Sequence, residues 1–344
     1  MTVGPLARVL EARPLRPAEA ASLFDALLDP GATDADRAAL LVGLAARPRT
    51  PAELAAFARE MRRRARKFPV PPADGAVDLC GSGGARRPSF NVSTVSAFVV
   101  AAAGTPVVKH GNRSASGRCG SSDLLEALGL PVTHSVEFAR ASYRRHRIAF
   151  LHAPLFHPAA HAVAPVRKRL GIPTIFNRLG PLSNPARVPY QVVGVPDRAS
   201  AEDVTSALER LGVRRALSMA SAEGCDEFSP RALTTAVVRG AGRRRLVRVD
   251  PRRHLQPSER RGSWDALDPP AAADEAERIL AGGDGARRGS VLLTSAAALW
   301  VADRVPTLSA GVDWAREALD GGRAEELLRS LRDLARGFGR PGGA

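Results

Sequence analysis

The chain has 344 residues, of which 44% are hydrophobic and 25% are charged, and this composition is typical of a globular protein large enough for two domains. No apolar segment approaches the roughly 18 residues that a membrane-spanning helix needs, and the first residues lack the pattern of a secretory signal. Cys80, Cys119 and Cys225 show no paired spacing. We therefore expect free thiols and a cytoplasmic protein rather than a disulfide scaffold.

The formal net charge is +15, because 50 Lys and Arg residues stand against 35 Asp and Glu residues. The Arg clusters are short and scattered, and the aromatic residues, 5% of the chain, do not interleave with them. Solvated basic faces therefore account for most of this charge, and nucleic-acid binding by base stacking and phosphate contacts is weakly supported. A small polyanionic substrate is compatible with the charge.

The first part of the chain shows apolar residues at helical spacing. The pattern predicts helices over 18–28, 34–44 and 51–65. Thr50 and Glu53 frame a capping box with Pro51 at the first helical position. A proline-rich connector follows over 69–72. These helices carry no catalytic constellation, so their expected roles are packing and assembly.

After the connector, short apolar segments alternate with helical patterns. Strands are predicted over 76–80, 105–109, 148–151, 191–195 and 216–219. Helices are predicted from about 97 to 103 and over 122–128, 272–280, 291–302, 311–319 and 324–335. Strands that alternate with helices indicate an α/β domain with a mainly parallel sheet covered on both faces.

A glycine-rich turn follows the first predicted strand. It comprises Gly81-Ser82-Gly83-Gly84 and precedes Asn91-Val92-Ser93-Thr94 at the start of a helix. Glycines let the backbone approach an anion, and a helix start offers free amides and the positive end of the helix dipole. A plain tight turn explains this segment about equally well, since it matches neither a Walker loop nor a dinucleotide fingerprint.

A second polar segment, 109–123, lies between a predicted strand and a predicted helix. It contains Lys109, His110 and Arg113 together with several hydroxyls and glycines. The cations would oppose phosphate charge, and the glycines would let the backbone close on the ligand. The segment therefore predicts a clamp for a phosphorylated sugar; the alternative is a polar loop that caps a helix at Ser121 or Ser122.

Two further features carry weaker signals. Asp226 and Glu227 are adjacent carboxylates, which suit Mg²⁺ that is shared with substrate phosphates, although such pairs are more often surface charge. Arg167, on a predicted helix, could hold a carboxylate by two parallel hydrogen bonds, or it could be a surface side chain.

In this order the segments resemble the anthranilate phosphoribosyltransferase family over nearly the whole chain. The matching segments are 78–84, 90–94, 109–113, 120–129, 157–159, Arg167, 174–177 and 226–227. The most specific of them is Lys109-His110-Gly111-Asn112-Arg113. It distinguishes this family from the related pyrimidine nucleoside phosphorylases, in which the corresponding segment is similar to Lys-His-Ser-Gly-Arg.

The resemblance implies a fold like that of the nucleoside phosphorylases and class III phosphoribosyltransferases. A small helical domain would cover 1–70, with a contribution from about 165–185, and would form a homodimer. An α/β domain over 73–344 would bind phosphoribosyl diphosphate (PRPP). The active site would lie in the cleft between the domains, where an aromatic amine bearing a carboxylate would displace diphosphate.

The resemblance also assigns residues to ligands. PRPP would be held by Gly81, Gly84, Ser89, Asn91, Val92, Ser93, Thr94, Lys109, Arg113, Ser114 and Ser121. The acceptor would be held by Gly81, His110, Asn112, Arg167 and Gly180. Mg²⁺ would be held by Ser93, Asp226 and Glu227.

The glycine turn departs from the family pattern Gly-Thr-Gly-Gly-Asp-Gly, because Ala85 and Arg86 follow Gly84. This departure leaves open whether the acceptor is anthranilate or another aromatic carboxylate of specialised metabolism. A catalytically inactive relative that binds nucleic acid is the alternative from another class. His157 and His161 are spaced as zinc ligands would be on a helix, but the sequence offers no third ligand nearby.

Overall fold

A computed structural model of the chain describes residues 4–11, 13–82, 87, 89–114 and 118–338. The helices are α1 (Pro5–Leu10), α2 (Pro17–Leu28), α3 (Asp34–Ala46), α4 (Pro51–Arg64), α5 (Val92–Ala102), α6 (Ser121–Ala127), α7 (Val136–His146), α8 (Ala153–Phe156), α9 (Ala164–Leu170), α10 (Ile175–Leu179), α11 (Arg198–Arg210), α12 (Pro269–Leu280), α13 (Ala286–Val301), α14 (Leu308–Asp320) and α15 (Arg323–Ala335). The strands are β1 (Val77–Gly81), β2 (Val107–Gly111), β3 (Ile148–His152), β4 (Tyr190–Gly194), β5 (Arg215–Ser221), β6 (Thr234–Gly240) and β7 (Arg243–Val249). In the described part of the chain, no helix is long and apolar enough to cross a membrane.

The N-terminal helices pack against α9 and α10. The Phe24 ring of α2 lies 6.3 Å from the Phe57 ring of α4 and 5.8 Å from the Phe176 ring of α10, measured between centroids. Capping boxes begin α3 at Thr33 and α4 at Thr50, as the sequence predicts for the latter. The apolar core of these helices continues onto one face of the sheet.

The sheet is mainly parallel. Its strand order is β3-β2-β1-β4-β5-β6-β7, with parallel pairing from β3 through β5 and antiparallel pairing of β6 and β7. The chain runs from β1 outward to β2 and β3 and then returns to β4 on the other side of β1. This reversal opens a crevice at the carboxyl ends of β1 and β4, which is where ligands bind in open α/β sheets.

Both faces of the sheet are covered, and successive residues of a strand face opposite sides. On β2, Val107 packs into the core that contains α5, α13 and α15, whereas Val108 packs on the other side with Phe68 and Phe156. The next residues continue this alternation, so the side chains of Lys109 and His110 face opposite sides of the sheet. The predicted mainly parallel sheet with two covered faces is thereby confirmed.

One hairpin is not among the strands predicted from the sequence. Strands β6 and β7 form an antiparallel pair at the edge of the sheet, and β7 contains one of the short Arg clusters, Arg243-Arg244-Arg245, for which the sequence predicts only a solvated basic face. Their side chains are indeed exposed, but the backbone pairs with β6 in regular register. An edge strand needs backbone pairing more than apolar side chains, and charges on it discourage pairing with other chains.

Candidate active site

The carboxyl ends of β1 and β4 meet at a pair of glycines. Gly81 and Gly194 are partners in the parallel register. A Cβ added to Gly81 would stand 2.7 Å from Oδ2 of Asp226, and one added to Gly194 would overlap the backbone carbonyl of Asp226. The two glycines therefore make room for the segment that carries the acidic pair to cross the strand ends.

Glu227 lies beside the start of α5 and near Lys109. The backbone amide of Ser93 donates to Oε1 of Glu227 at 3.3 Å, and Nζ of Lys109 donates to Oγ of Ser93 at 3.2 Å and to the carbonyl of Leu79 at 2.5 Å. Gly81, Ser93, Lys109, Asp226 and Glu227 thus form one cluster, which we call the phosphate cluster. The structure brings together residues that the sequence separates by up to 146 positions.

The electrostatics of the phosphate cluster favour a bound cation. Burial and the neighbouring charge of Asp226 raise the pKa of Glu227, against the opposing charge of Lys109. Oε2 of Glu227 is buried without a hydrogen-bond partner among the described residues. Within those residues no group of three or more His, Cys, Asp or Glu side chains could hold a metal. Two carboxylates and a hydroxyl leave coordination positions for phosphate oxygens, as Mg²⁺ prefers.

The residues at the start of α5 differ in what they offer a ligand. Asn91 precedes the helix, and its Nδ2 donates to the carbonyl of Cys119 at 3.0 Å. The side chains of Val92 and Thr94 are buried, and the amide of Val92 already donates to Phe90. Ser89 forms an isolated β-bridge with Asp265. Ser93 is therefore the member of this set that reaches the acidic pair.

The loop after β2 is organised by Asp123. Its Oδ2 accepts from the amides of Ser114 and Gly120 at 3.0 and 2.9 Å, and its Oδ1 accepts from Arg113 at 2.8 Å. The Arg113 guanidinium also contacts Glu126 at 2.6 Å. The predicted phosphate ligand Arg113 is thus held by two carboxylates here. Oγ of Ser121 donates to the carbonyl of Asn112 at 3.1 Å, next to Gly111.

A second site, which we call the acceptor cavity, lies on the other side of β2. Its volume is about 200 Å³. Four of the five predicted acceptor residues line it: His110, Asn112, Arg167 and Gly180. The fifth, Gly81, lies instead at the phosphate cluster against Asp226. Further lining residues are Met61, Ala153, Pro154, His157, Ala160, His161, Ala164, Phe176, Leu179 and Ser183.

Arg167 supplies positive charge to this cavity. Its guanidinium lies 5.2 Å from the centre of the Phe176 ring and donates to Oδ1 of Asn177 at 3.4 Å. Its Nε is buried without a partner among the described residues, and burial lowers the pKa of its guanidinium. No Asp or Glu is found among the described residues that line the cavity. A cation in a pocket without acids suits an anionic ligand with a flat face.

Two histidines line the cavity at its sheet side. The His110 and His157 rings meet edge to face, with centroids 5.0 Å apart. Nδ1 of His110 lies 3.3 Å from the carbonyl of Gly180. His157 precedes a 3₁₀ helix over Pro158–Val163, and burial lowers the pKa of His157 to about 4. His157 and His161, whose spacing in the sequence also suits zinc ligands on a helix, both line this cavity.

The chain matches two family models. Residues 73–325 match the "Glycosyl transferase family, a/b domain" and residues 6–65 match the "Glycosyl transferase family, helical bundle domain". It is 44% identical to "Anthranilate phosphoribosyltransferase 2" of Streptomyces coelicolor over 92% of this chain and 94% of that relative. The chain belongs to the anthranilate phosphoribosyltransferase family.

Solved structures of the family agree with this fold. The anthranilate phosphoribosyltransferase of Thermus thermophilus is 36% identical, with a TM-score of 0.87 over 96% of this chain and 99% of that one. The yeast enzyme in complex with PRPP and Mg is 22% identical, with a TM-score of 0.81 over 94% of each chain, and it supports the fold alone. The predicted helical domain and α/β domain of this family are thus confirmed.

Sequence reasoning missed a buried polar network in this family member. Asp78 on β1 is fully buried, and its carboxylate accepts from the amide of His110 at 3.1 Å and from Asn184 at 2.8 Å. Burial raises the pKa of Asp78, while Lys109 and these hydrogen bonds oppose the rise. Asp78 therefore links β2, which carries Lys109 and His110, to the loop after α10. Its position shortly before the glycine turn is the sequence feature that could have indicated this role.

One predicted PRPP residue, Gly84, and the departing residues Ala85 and Arg86 lie outside the described residues. Their roles stay predictions. Arg87, which follows them, forms ion pairs with Asp265 at 2.6 Å and with Glu223 at 3.5 Å.

Proposed function

We propose that this chain transfers the phosphoribosyl group of PRPP to the amine of anthranilate, releasing diphosphate and forming N-(5-phosphoribosyl)anthranilate. One observation carries the proposal. Lys109 and His110 are neighbours on β2, yet Lys109 belongs to the phosphate cluster and His110 to the acceptor cavity. A sugar that spans the end of β2 would therefore present its anomeric carbon to an acceptor in the cavity.

The diphosphate would lie at the phosphate cluster. Lys109 supplies positive charge for its oxygens, the start of α5 adds the positive end of the helix dipole, and the missing side chain of Gly81 leaves room beside Asp226. Further contacts with PRPP are proposed for Ser89, Asn91, Val92, Thr94, Ser114, Ser121 and Gly84. Arg113 would exchange one of its carboxylate partners, Asp123 or Glu126, for a phosphate oxygen.

Ser93, Asp226 and Glu227 would hold Mg²⁺, because the unpartnered Oε2 of Glu227 and the adjacent Asp226 carboxylate match its ligand preference. When bound, the ion would neutralise charge that develops on the departing diphosphate. The protein's own part is to hold both carboxylates over the glycine pair and to keep Lys109 beside them.

The acceptor would lie in the cavity with its carboxylate on Arg167 and its ring near Phe176. Its amine would then face the end of β2. The nitrogen attacks the anomeric carbon from the side opposite to the diphosphate, so the configuration inverts and no protein nucleophile takes part. Positioning and charge stabilisation together can lower the barrier by on the order of 10 kcal/mol.

Diphosphate release from PRPP with Mg²⁺, measured with and without anthranilate, tests this function. We expect release that requires anthranilate. Release that requires a different aromatic carboxylate would replace the acceptor and keep the reaction type. Absence of release with every aromatic acid, together with salt-sensitive DNA binding, would favour the inactive nucleic-acid-binding alternative.

The double variant Asp226→Asn with Glu227→Gln tests the metal site, and Asp313→Asn on the surface of α14 is its control. Both changes in the double variant keep side-chain volume and remove charge. We expect loss of Mg²⁺-dependent turnover in the double variant and unchanged turnover in the control. Full activity in the double variant would remove these residues from the metal site.

The helical bundle would form a homodimer. Leu6 and Leu10 of α1, Val42 of α3 and Ile172 after α9 are large apolar side chains between 41% and 70% exposed. Burying such residues between two copies would remove apolar area from water. Light scattering after gel filtration should give twice the chain mass, and a monomer at micromolar concentration would contradict this. The free cysteines favour a reducing, cytoplasmic compartment.

A further inference from the structure

His110 occupies the boundary between the two halves of the site. The residue before it, Lys109, reaches Ser93 of the phosphate cluster, whereas the His110 ring lies on the opposite face of β2 and lines the acceptor cavity. The bond that forms in the proposed reaction must lie between these two groups. Among the titratable side chains that line the cavity, His110 directly follows a residue of the phosphate cluster, Lys109.

The hydrogen bond to Gly180 determines the tautomer of His110. A backbone carbonyl can only accept, so Nδ1 of His110, 3.3 Å from the Gly180 oxygen, must carry the hydrogen. In the neutral ring Nε2 then holds a free lone pair. Nε2 is buried and has no hydrogen-bond partner among the described residues. A buried acceptor without a partner is costly, and a ligand N–H in the cavity would satisfy it.

The surroundings keep this imidazole neutral and fixed. Burial first, and then the neighbouring His157 ring, hold the pKa of His110 well below the ordinary histidine value. The backbone of His110 is anchored by the 3.1 Å bond from its amide to Asp78, and its ring is held against His157. No acid is found among the described lining residues, so the other imidazoles of the cavity, His157 and His161, are the groups against which His110 must be compared; of the three, His110 follows Lys109 of the phosphate cluster directly.

We propose that Nε2 of His110 accepts the proton that the acceptor amine loses as the new C–N bond forms. This inference rests on the proposed function and adds a general base to it. The amine lone pair forms the bond to the anomeric carbon, and the bond from that carbon to the diphosphate oxygen breaks, with its electron pair leaving on diphosphate. The N–H electron pair then returns to nitrogen, and the proton moves to the Nε2 lone pair.

The low basicity of His110 is compatible with this step. An arylamine nitrogen that has just been alkylated is a strong acid, because deprotonation restores the overlap of its lone pair with the ring. A weakly basic imidazole can therefore take the proton, and the same weakness keeps it unprotonated and ready at neutral pH. The imidazolium, still held by Gly180, returns the proton to solvent after the product leaves.

The test compares His110→Ala with the wild type, each assayed with PRPP, Mg²⁺ and anthranilate. We expect kcat to fall about 10²- to 10⁴-fold, the usual contribution of a general base, while PRPP binding measured by calorimetry stays within about threefold. Added imidazole should restore part of kcat, since it can fill the cavity and accept a proton. Pyrrole, a ring of the same size without a basic lone pair, should not restore it.

His254→Ala is the matched control. His254 is also partly buried, with a pKa lowered by burial, and its Nδ1 lies 3.1 Å from Oγ of Ser309, outside the cavity lining. Its kcat should match the wild type with or without imidazole. An undiminished kcat in His110→Ala, no rescue by imidazole, or equal rescue by pyrrole would overturn the proposed base. Failure of the wild type itself to use anthranilate would instead overturn the proposed function.

Discussion

At the scale of single residues, two glycines determine how closely the acidic pair approaches the sheet. Gly81 and Gly194 face the Asp226 segment, and neither has a positive φ. Glycine is therefore needed at these positions because a side chain would clash with Asp226, and not because the backbone conformation is unusual. Any larger residue at Gly194 would meet the Asp226 backbone, which cannot swing aside as a flexible side chain can.

Replacing Gly194 with Ala should therefore destabilise the fold and displace Asp226. Overpacking of this kind costs about 1–3 kcal/mol. The shift of the carboxylate should also lower the turnover of the protein that remains folded. Urea unfolding and diphosphate release at saturating Mg²⁺ measure the two effects.

Gly337→Ala is the control for that change. A Cβ at Gly337 meets no atom within 4 Å, so its stability and turnover should match the wild type. If Gly194→Ala unfolds at the same urea concentration as Gly337→Ala and turns over equally fast, the close approach of the Asp226 backbone to Gly194 has no role.

At this scale the sequence indicates most readily those residue types that have few other uses. Lys109 and the acidic pair are predicted to bind phosphate and Mg²⁺, and the structure places them in one cluster, while their ligands stay predictions. Sequence reasoning missed Met61 and Phe176 of the acceptor cavity, because an apolar residue at helical spacing looks the same whether it faces a core or a ligand.

At the scale of elements, α4 begins at a buried charge. Glu53 accepts from the amides of Thr50 at 2.7 Å and Leu15 at 2.8 Å and from Arg47 at 2.7 Å. Arg47 and Glu53 are both buried. Burial opposes ionisation of Glu53, but these hydrogen bonds and the Arg47 charge outweigh the effect of burial and lower the pKa of Glu53. A capping box predicted from four residues thus also joins α4 to the chain before α2.

The variant Glu53→Gln should lose about 3 kcal/mol of stability at neutral pH, because it leaves Arg47 buried without its counter-charge. The lowered folded-state pKa means that the wild-type contribution is complete above the ordinary glutamate pKa, about 4.3, and is lost as pH falls through the folded value. The difference between the unfolding free energies of the wild type and Glu53→Gln, measured with urea, should therefore become smaller as pH drops below about 4.

Glu60→Gln on the same helix is the comparison for that pH series. Glu60 pairs with Arg63 and Arg64 nearer the surface, and such pairs contribute about 1 kcal/mol or less. The role given to Glu53 would be contradicted if Glu53→Gln lost no more unfolding free energy than Glu60→Gln. It would also be contradicted if the difference between Glu53→Gln and the wild type grew in acid.

The ends of elements were predicted less well than their existence, and the reasons are local. Strands β1 and β2 were expected to end at 80 and 109 but continue to Gly81 and Gly111. Glycine carries no apolar side chain to signal a strand, yet at these positions the backbone must pass close to Asp226 and Ser121. The β6–β7 hairpin was missed for a related reason, since its pairing depends on backbone rather than on alternating apolar residues.

At the scale of the whole molecule, the acceptor cavity exists because the helical bundle meets the sheet. Met61 of α4 lines the cavity together with residues of β2, α9 and α10. The next residue, Arg62, is buried, and its Nε donates to the carbonyl of Leu182 at 2.7 Å. That carbonyl follows Gly180, whose oxygen fixes the His110 ring. One hydrogen bond from the bundle therefore supports the wall of the cavity.

Replacing Arg62 with Ala should loosen the 180–183 segment and weaken acceptor binding. Loss of a hydrogen bond from a charged group costs about 1.5–3 kcal/mol, so the KM for anthranilate should rise roughly 10-fold or more while the KM for PRPP stays within about twofold. Steady-state kinetics with each substrate varied in turn separates the two constants. The proposed PRPP contacts lie on other elements, which is why the KM for PRPP should not change with that for anthranilate.

Arg63→Ala is the neighbouring control, because Arg63 is exposed and pairs with Glu60 at 2.8 Å on its own helix. Its two KM values should both stay at wild-type levels. Equal increases in both KM values for Arg62→Ala would indicate general loosening of the fold rather than support of one wall. An unchanged anthranilate KM would show that the cavity holds its shape without the bundle, and the predicted dependence of acceptor binding on the helical domain would then fail.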